Sequence, residues 1–220
     1  MTRIPNKSAR THLARPLEED GPESKVDVQI GLLTHQYDFM HADDFAVALV
    51  SGLGAGKTWV GTLWSEMKAL ANPGVKGLVF ANTYRQLKGA TLDRLVKHLG
   101  DHGVPYDLNR TDMILNLEGG TEVYLRSTEN FDDLRGVEFG WAYGDEVRDM
   151  EKGAIDVIRG RLRDAACDAI ELRLTTTPAG MNWIYMDFKL RPMEARAALE
   201  AAGATLPPCR WACGPTSAIA

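Results

Sequence analysis

The glycine-rich run SGLGAGKT, residues 51–58, constrains this chain more than any other feature, because it follows without a break on the apolar run FAVALV, residues 45–50. A continuous apolar run of that length fits a buried parallel strand. Beyond the glycines, Val60, Leu63, Trp64, Met67 and Leu70 recur at the spacing of one helix face, and Asn72, Pro73 and Gly74 stop the helix. The order is strand, glycine loop, helix.

Successive backbone N–H groups at the positive end of a helix make an anion cradle, and glycine is needed where the backbone approaches closely or takes unusual dihedrals. Gly52, Gly54 and Gly56 meet that need, with Ala55 between the last two. Lys57 is then placed to reach the β- and γ-phosphates of a nucleotide, and the Thr58 hydroxyl to bind Mg²⁺. The usual pattern, GxxxxGKT, opens on glycine, whereas this chain has Ser51. Ser51 sits where the loop leaves the strand, so the expectation is altered geometry at the entry with the phosphate contacts kept.

Further along, GLVFA at 77–81 reads as a second buried strand, followed by a helix with Leu92, Leu95, Val96 and Leu99 on one face and its end at Gly100. Strand alternating with helix points to a parallel sheet. Met113, Leu115 and Leu117 then alternate with polar residues, Gly119 and Gly120 turn, and Val123 and Leu125 alternate back, which predicts a β-hairpin inserted in the α/β layer. The segment VEFGWAYGDE, 137–146, predicts a strand that delivers Asp145 and Glu146 at its C-terminal end, although Gly140 and Gly144 weaken its strand propensity, as if function overrode propensity there. A helix with Ile155, Ile158 and Leu162 on one face leads to a strand in which Ile170, Leu172 and Leu174 alternate into Thr175, Thr176 and Thr177.

Two carboxylates at a strand end, set beside a phosphate loop, suit phosphoryl transfer. Asp145 is expected to hold Mg²⁺ through water, and Glu146 to orient and activate the attacking water, which favours hydrolysis over transfer to a small acceptor. The threonine run ends on the side where open α/β sheets place ligands, so its hydroxyls are candidates to sense the γ-phosphate; the alternative is a β-branched strand end before Pro178.

Composition sets the remaining bounds. With 220 residues, 45% hydrophobic and 25% charged, one main domain is expected, and a net charge of -5 gives no global attraction to nucleic acid. Cys167, Cys209 and Cys213 are too few for a disulfide framework, and no apolar run approaches the roughly 20 residues that span a membrane. Residues 1–25, with Pro5, Pro16, Pro22 and an acidic cluster, read as a mobile leader.

The ordered series THQYDF, SGLGAGKTW, ANTYRQL, LRSTENFDDLRG, YGDE, RGRLRD and TTTPAGMNWIY resembles the ATPase domain of the large terminase subunit, the DNA-packaging motor of tailed bacteriophages, over roughly residues 33–190. The resemblance implies an α/β P-loop NTPase of the ASCE type, a mainly parallel sheet flanked by helices on both faces, filling residues 26–190. It implies ATP and Mg²⁺ as ligands, with Gln36 as adenine reader, Ser51, Gly52, Gly54, Ala55, Gly56, Lys57 and Thr58 around the nucleotide, and Thr58 and Asp145 at the metal. It makes Lys57 and Glu146 catalytic and Thr175, Thr176 and Thr177 the coupling motif. For Gln36 the alternative is a surface glutamine beside buried Tyr37 and Phe39. Arg135 is the first choice for an arginine acting on a neighbour's site and Arg126 the second, each with a surface ion pair as its alternative; family members often carry an arginine inside the loop, where this chain has Leu53.

The implied partners are double-stranded phage DNA, the portal protein, the small terminase subunit and further copies of the chain in a ring, in the cytoplasm of the bacterial host and without a membrane. Other readings are a helicase-like or other P-loop ATPase without a packaging role, and an inactive nucleotide-binding remnant, against which Lys57, Asp145 and Glu146 argue. Full-length large terminases resemble a fusion with a nuclease of RNase H type, but the residues after Gly180 are fewer than the roughly 50 a domain takes, so nuclease activity is expected to be absent from this chain and the chain to be truncated before that domain. Residues 191–220 carry Glu194 and Glu200 as their only acids and are expected to be a disordered or non-native tail, in which Arg196 to Ala202 can form a short helix and Cys209 and Cys213 make a poor zinc site.

Overall fold

The computed structural model describes residues 29–129, 134, 136–205 and 217–219. The expected leader, 1–25, lies outside them. Helix α1 (Thr34–His41) precedes strand β1 (Ala46–Ser51), and the glycine loop leads into α2 (Lys57–Ala71). After β2 (Gly77–Ala81), a short α3 (Tyr84–Gln86) passes through a π-helical segment, Leu87–Leu92, into α4 (Asp93–Asp101). Then come β3 (Tyr106–Asn109), β4 (Ile114–Leu117), β5 (Glu122–Ser127), β6 (Trp141–Asp145), α5 (Lys152–Arg161), β7 (Glu171–Thr176), α6 (Trp183–Tyr185), a π-helical Met186–Leu190, α7 (Arg191–Ala201) and β8 (Ser217–Ile219).

These strands form one sheet in the order β3-β4-β5-β2-β6-β7-β1-β8. The central five, β5, β2, β6, β7 and β1, are mutually parallel, and antiparallel strands close both edges. Every residue of β2 and β6 is buried, as expected for strands covered on both faces. Strand alternation splits the core in two. Val79, Trp141 and Tyr143 pack with Val60, Trp64, Leu95 and Leu99 on one face, while Leu78, Phe80, Ala142, Leu172 and Leu174 pack with Ile155, Ile158 and Ile184 on the other. Helices therefore flank both faces, as expected.

Local packing corrects several expectations. On α2, Met67 and Leu70 are about half exposed. The buried face instead passes through Gly61, Ser65, Lys68 and Ala69, because α2 approaches β6 so closely that a Cβ on Gly61 would lie 2.1 Å from the Tyr143 ring. The glycines in and just before β6 are there for the same kind of reason. A Cβ on Gly144 would meet Phe80 Cζ at 2.5 Å, and one on Gly140 would meet Val75 and Cys167 at 2.5 and 2.6 Å, so neighbouring side chains account for them without appeal to catalysis. Helix α4 passes Gly100, ends at Asp101 and is closed off by Gly103, in the left-handed region at φ 70, where the Val104 N–H reaches the Leu99 carbonyl and that of Gly103 the Gly100 carbonyl.

The hairpin is present within the α/β sheet, as expected, and its second strand pairs in parallel with β2 from Gly77↔Val123 to Ala81↔Ser127. Strand β3, missed in the sequence because it buries no residue, pairs with β4 at the edge. Arg173, fully buried in β7, stacks over Trp64 at 5.3 Å and donates to the carbonyls of Ala42 and Asp44 and to Glu171. It anchors the segment that enters β1.

The start of the expected tail is helical. Residues 191–201 form α7, an Ala- and Glu-rich stretch of high helix propensity with Pro192 in its first turn, where proline is tolerated. None of its residues is buried. Cys209 and Cys213 lie outside the described residues.

Candidate nucleotide site

The carboxyl ends of β1, β6 and β7 meet at one place, with β7 lying between the strand that feeds the glycine loop and the strand that ends at Asp145. Strand β1 runs through Ser51, and the loop turns at Gly54 and Gly56, whose φ values of 78 and 75 favour glycine. Helix α2 begins at Lys57, so the first-turn N–H groups, which have no intrahelical acceptor, stand at the loop's end. Ser51 is 5% exposed and its hydroxyl has no partner among the described residues. Its carbonyl, with that of Gly52, accepts from Nζ of the buried Lys57 at 2.9 and 2.8 Å.

Asp145 is the hub of a hydroxyl network. Oδ1 accepts from Thr58 at 3.1 Å and from Thr175 at 2.9 Å, and Oδ2 accepts from Thr91 at 2.8 Å. Because Thr175 spends its proton on Asp145, Tyr143 is the donor in the 2.9 Å contact between their hydroxyls. Burial, then the neighbouring Asp145 charge, pushes the Tyr143 phenol well above its usual value and keeps it neutral.

Glu146 follows at φ 49 and ψ 56, a left-handed conformation that costs a side-chain-bearing residue about 1–2 kcal/mol. Its carboxylate accepts from the backbone N–H of Thr177 at 2.9 Å and from the Thr177 hydroxyl at 3.2 Å, with Arg148 Nε at 3.6 Å. Thr176, 1% exposed, donates to the Thr177 carbonyl at 3.3 Å. A cleft of about 780 Å³ is lined by the loop and by Gly89, Ala90, Asp93, Arg94, Lys97 and Glu146.

Gln36 is 5% exposed, while its neighbour Tyr37 is 55% exposed, so the surface alternative does not hold. Its amide donates to the Ala55 carbonyl at 3.3 Å and its Oε1 accepts from the Leu33 N–H at 3.0 Å; His35 also reaches the Ala55 carbonyl, at 3.1 Å. A Cβ on Gly56 would lie 2.5 Å from the Gln36 amide nitrogen, so α1 rests against the loop.

The family model for "Terminase large subunit, T4likevirus-type, N-terminal" matches residues 48–201. The chain belongs to that family. No curated protein matches it in sequence. Among solved structures, the large terminase of a thermophilic bacteriophage superposes with a TM-score of 0.64 at 18% identity, over 74% of this chain and 43% of that one. The Thermus phage P74-26 large terminase ATPase domain gives a TM-score of 0.58 at 21% identity over 72% and 69%. The HK97 large terminase gives 0.57 at 16% over 80% and 38%. These likenesses establish the terminase ATPase fold, and the chain spans less than half the length of the thermophilic phage's protein. That same phage protein has also been solved in complex with ADP and with ATP-gamma-S.

Within this terminase domain the family match runs past residue 190, the expected end of the sequence pattern, and includes α7. The loop, Gln36, Asp145, Glu146, Thr175 and Thr177 are brought together. Arg126, a candidate to act on a neighbour's site, donates from NH1 to the carbonyls of Asp112, Met113 and Leu125, and its guanidinium lies 5.1 Å from the Tyr124 ring centre. Arg135 lies outside the described residues. Thr91, Tyr143 and Arg94 escaped the sequence reading. Tyr143 carries a local signal, since it stands two residues before Asp145 and a strand puts both on one face. Thr91 and Arg94 carry none.

Proposed function

We propose that this terminase domain hydrolyses ATP and that the hydrolysis drives double-stranded phage DNA into a procapsid. The observation that carries the reading is the convergence of the Lys57–Thr58 helix start, Asp145 and Glu146 at one cleft. Lys57, whose present partners are two loop carbonyls, exchanges them for β- and γ-phosphate oxygens, which are stronger, charged acceptors. Thr58 and Asp145 set two hard oxygen donors 3.1 Å apart beside the loop, a donor set that suits Mg²⁺ and would hold it. Bound there, the ion supplies charge neutralisation for the phosphates. Glu146, held by Thr177, accepts the proton of the attacking water.

The contacts of Thr175 with Asp145 and of Thr177 with Glu146 support a coupling role for the threonine run, because a change at either carboxylate reaches β7 or the residue that follows it. Gln36 reads adenine from beside Ala55. Arg135 completes a neighbour's site in a ring of copies, and the portal protein and small terminase subunit are the other partners, in the cytoplasm of the bacterial host. Among the described residues no helix is long and apolar enough to cross a membrane.

The test is ATP turnover of the purified chain across protein concentration, with and without duplex DNA, beside Lys57→Ala and Glu146→Gln. Turnover should rise more than linearly with concentration and vanish in both variants. Glu146→Gln should still bind nucleotide, whereas Lys57→Ala should not. Turnover surviving in Glu146→Gln would remove the base from that residue, and unchanged affinity in Lys57→Ala would remove the nucleotide from the loop.

A further inference from the structure

Helix α4 carries His98, and His102 follows at its end four residues on, so the two share a face and stack with ring centres 5.8 Å apart. Opposite them α2 presents Glu66, only 2% exposed. His102 Nδ1 lies 2.8 and 2.9 Å from the two Glu66 oxygens. His98, 4% exposed, donates from Nε2 to the Trp59 carbonyl at 3.2 Å. One ligand atom from each of Glu66, His98 and His102 falls within 4.8 Å of the other two. The contact with His102 pairs the buried Glu66 carboxylate and the Trp59 carbonyl takes one nitrogen of His98, but neither accounts for two imidazoles converging on one buried carboxylate.

We propose that Glu66, His98 and His102 bind a divalent transition metal of the zinc class, which clamps α4 to α2 beside the nucleotide cleft. Two imidazoles and one carboxylate form a recurrent zinc ligand set, with a fourth position for water. Imidazole nitrogens favour zinc, copper or nickel over Mg²⁺, so this site takes a different ion from the oxygen donors at Thr58 and Asp145. Tetrahedral bonds of about 2.0–2.2 Å place ligand atoms roughly 3.3 Å apart, so the triad closes by side-chain rotation toward the ion. The His102 side chain, 20% exposed, opens the route from solvent. The Trp59 carbonyl is the kind of outer partner that fixes the orientation and tautomer of a ligating histidine.

The clamp bears on the nucleotide site through two connections. Trp59 lines the cleft, and α4 continues the π-helical segment whose Thr91 donates to Asp145. The experiment titrates Co²⁺, then Zn²⁺, into the full chain carrying Cys209→Ser and Cys213→Ser, with Mg²⁺ in excess. It is followed by calorimetry, by the visible absorption of Co²⁺ and by thermal melting. The expected result is one Co²⁺ per chain with four-coordinate absorption, displaced by Zn²⁺, a raised melting temperature, and affinity at least about tenfold weaker in both His102→Ala and Glu66→Gln. His102→Ala, at the exposed member, decides the matter if circular dichroism shows that Glu66→Gln fails to fold. A folded chain that binds no Co²⁺, or binding unchanged in His102→Ala, overturns the site.

Discussion

Thr91 donates its hydroxyl to Oδ2 of Asp145 at 2.8 Å, which ties the π-helical segment after β2 to the carboxylate that ends β6. Both groups are buried, so Thr91→Val, which keeps the shape and removes the donor, leaves a carboxylate oxygen short of a partner. It should destabilise the chain by about 1–3 kcal/mol in urea unfolding and lower ATP turnover with it. Wild-type stability would show that Thr58 and Thr175 suffice for Asp145.

Glu146 sits in a left-handed conformation that glycine adopts freely. Glu146→Gly should therefore be more stable than Glu146→Ala by about 1 kcal/mol, while neither variant turns over ATP. Comparing the two small residues separates backbone strain from the lost carboxylate. Equal unfolding midpoints would show that the backbone relaxes.

Gly144 in β6 leaves room for the Phe80 ring of β2, which a Cβ would approach at 2.5 Å. Gly144→Ala should cost about 1–3 kcal/mol through overpacking. Adding Phe80→Leu should recover part of that loss, since the clash is with the ring edge. A double mutant less stable than the sum of the two single changes would place the strain elsewhere, Val147 being the next neighbour at 2.8 Å.

Burial lowers the pKa of His98 below 6.5, and the partners acting on it are the Trp59 carbonyl, His102, Arg94 and Asp101. Above 6.5 the ring is neutral folded and unfolded and adds no pH dependence. As pH falls below 6.5 the unfolded chain takes up a proton that the folded ring resists, so stability is lost. Glu66 runs the other way, because burial raises its pKa above 4.5 and the folded chain then binds the extra proton. Urea unfolding with a chelator present should show wild type losing stability relative to His98→Gln as pH falls through 6.5. A difference that stays constant with pH would mean that His98 titrates alike in both states.

The phosphate loop, the strand feeding it, the strand ending at Asp145 and Glu146, and the threonine run were all legible in the sequence. Each is a local pattern: a glycine spacing, an unbroken apolar run, or alternation with a period of two. Such patterns follow from how one segment meets water on one side and a core on the other, whatever that core is made of. Tertiary structure decided what depends on the identity of the neighbour. Thr91 stands 54 residues before Asp145, and nothing in KGATL reveals that a π-helical turn brings its hydroxyl there. Met67 and Leu70 keep helical spacing yet face outward, because the contact of Gly61 with Tyr143 sets the rotation of α2. Glu66 meets His98 and His102 because α2 and α4 pack on the same face of the sheet. Side-chain chemistry is written along the chain, but a hydrogen bond or ligand set between distant segments exists only once packing has fixed the distance and rotation of both.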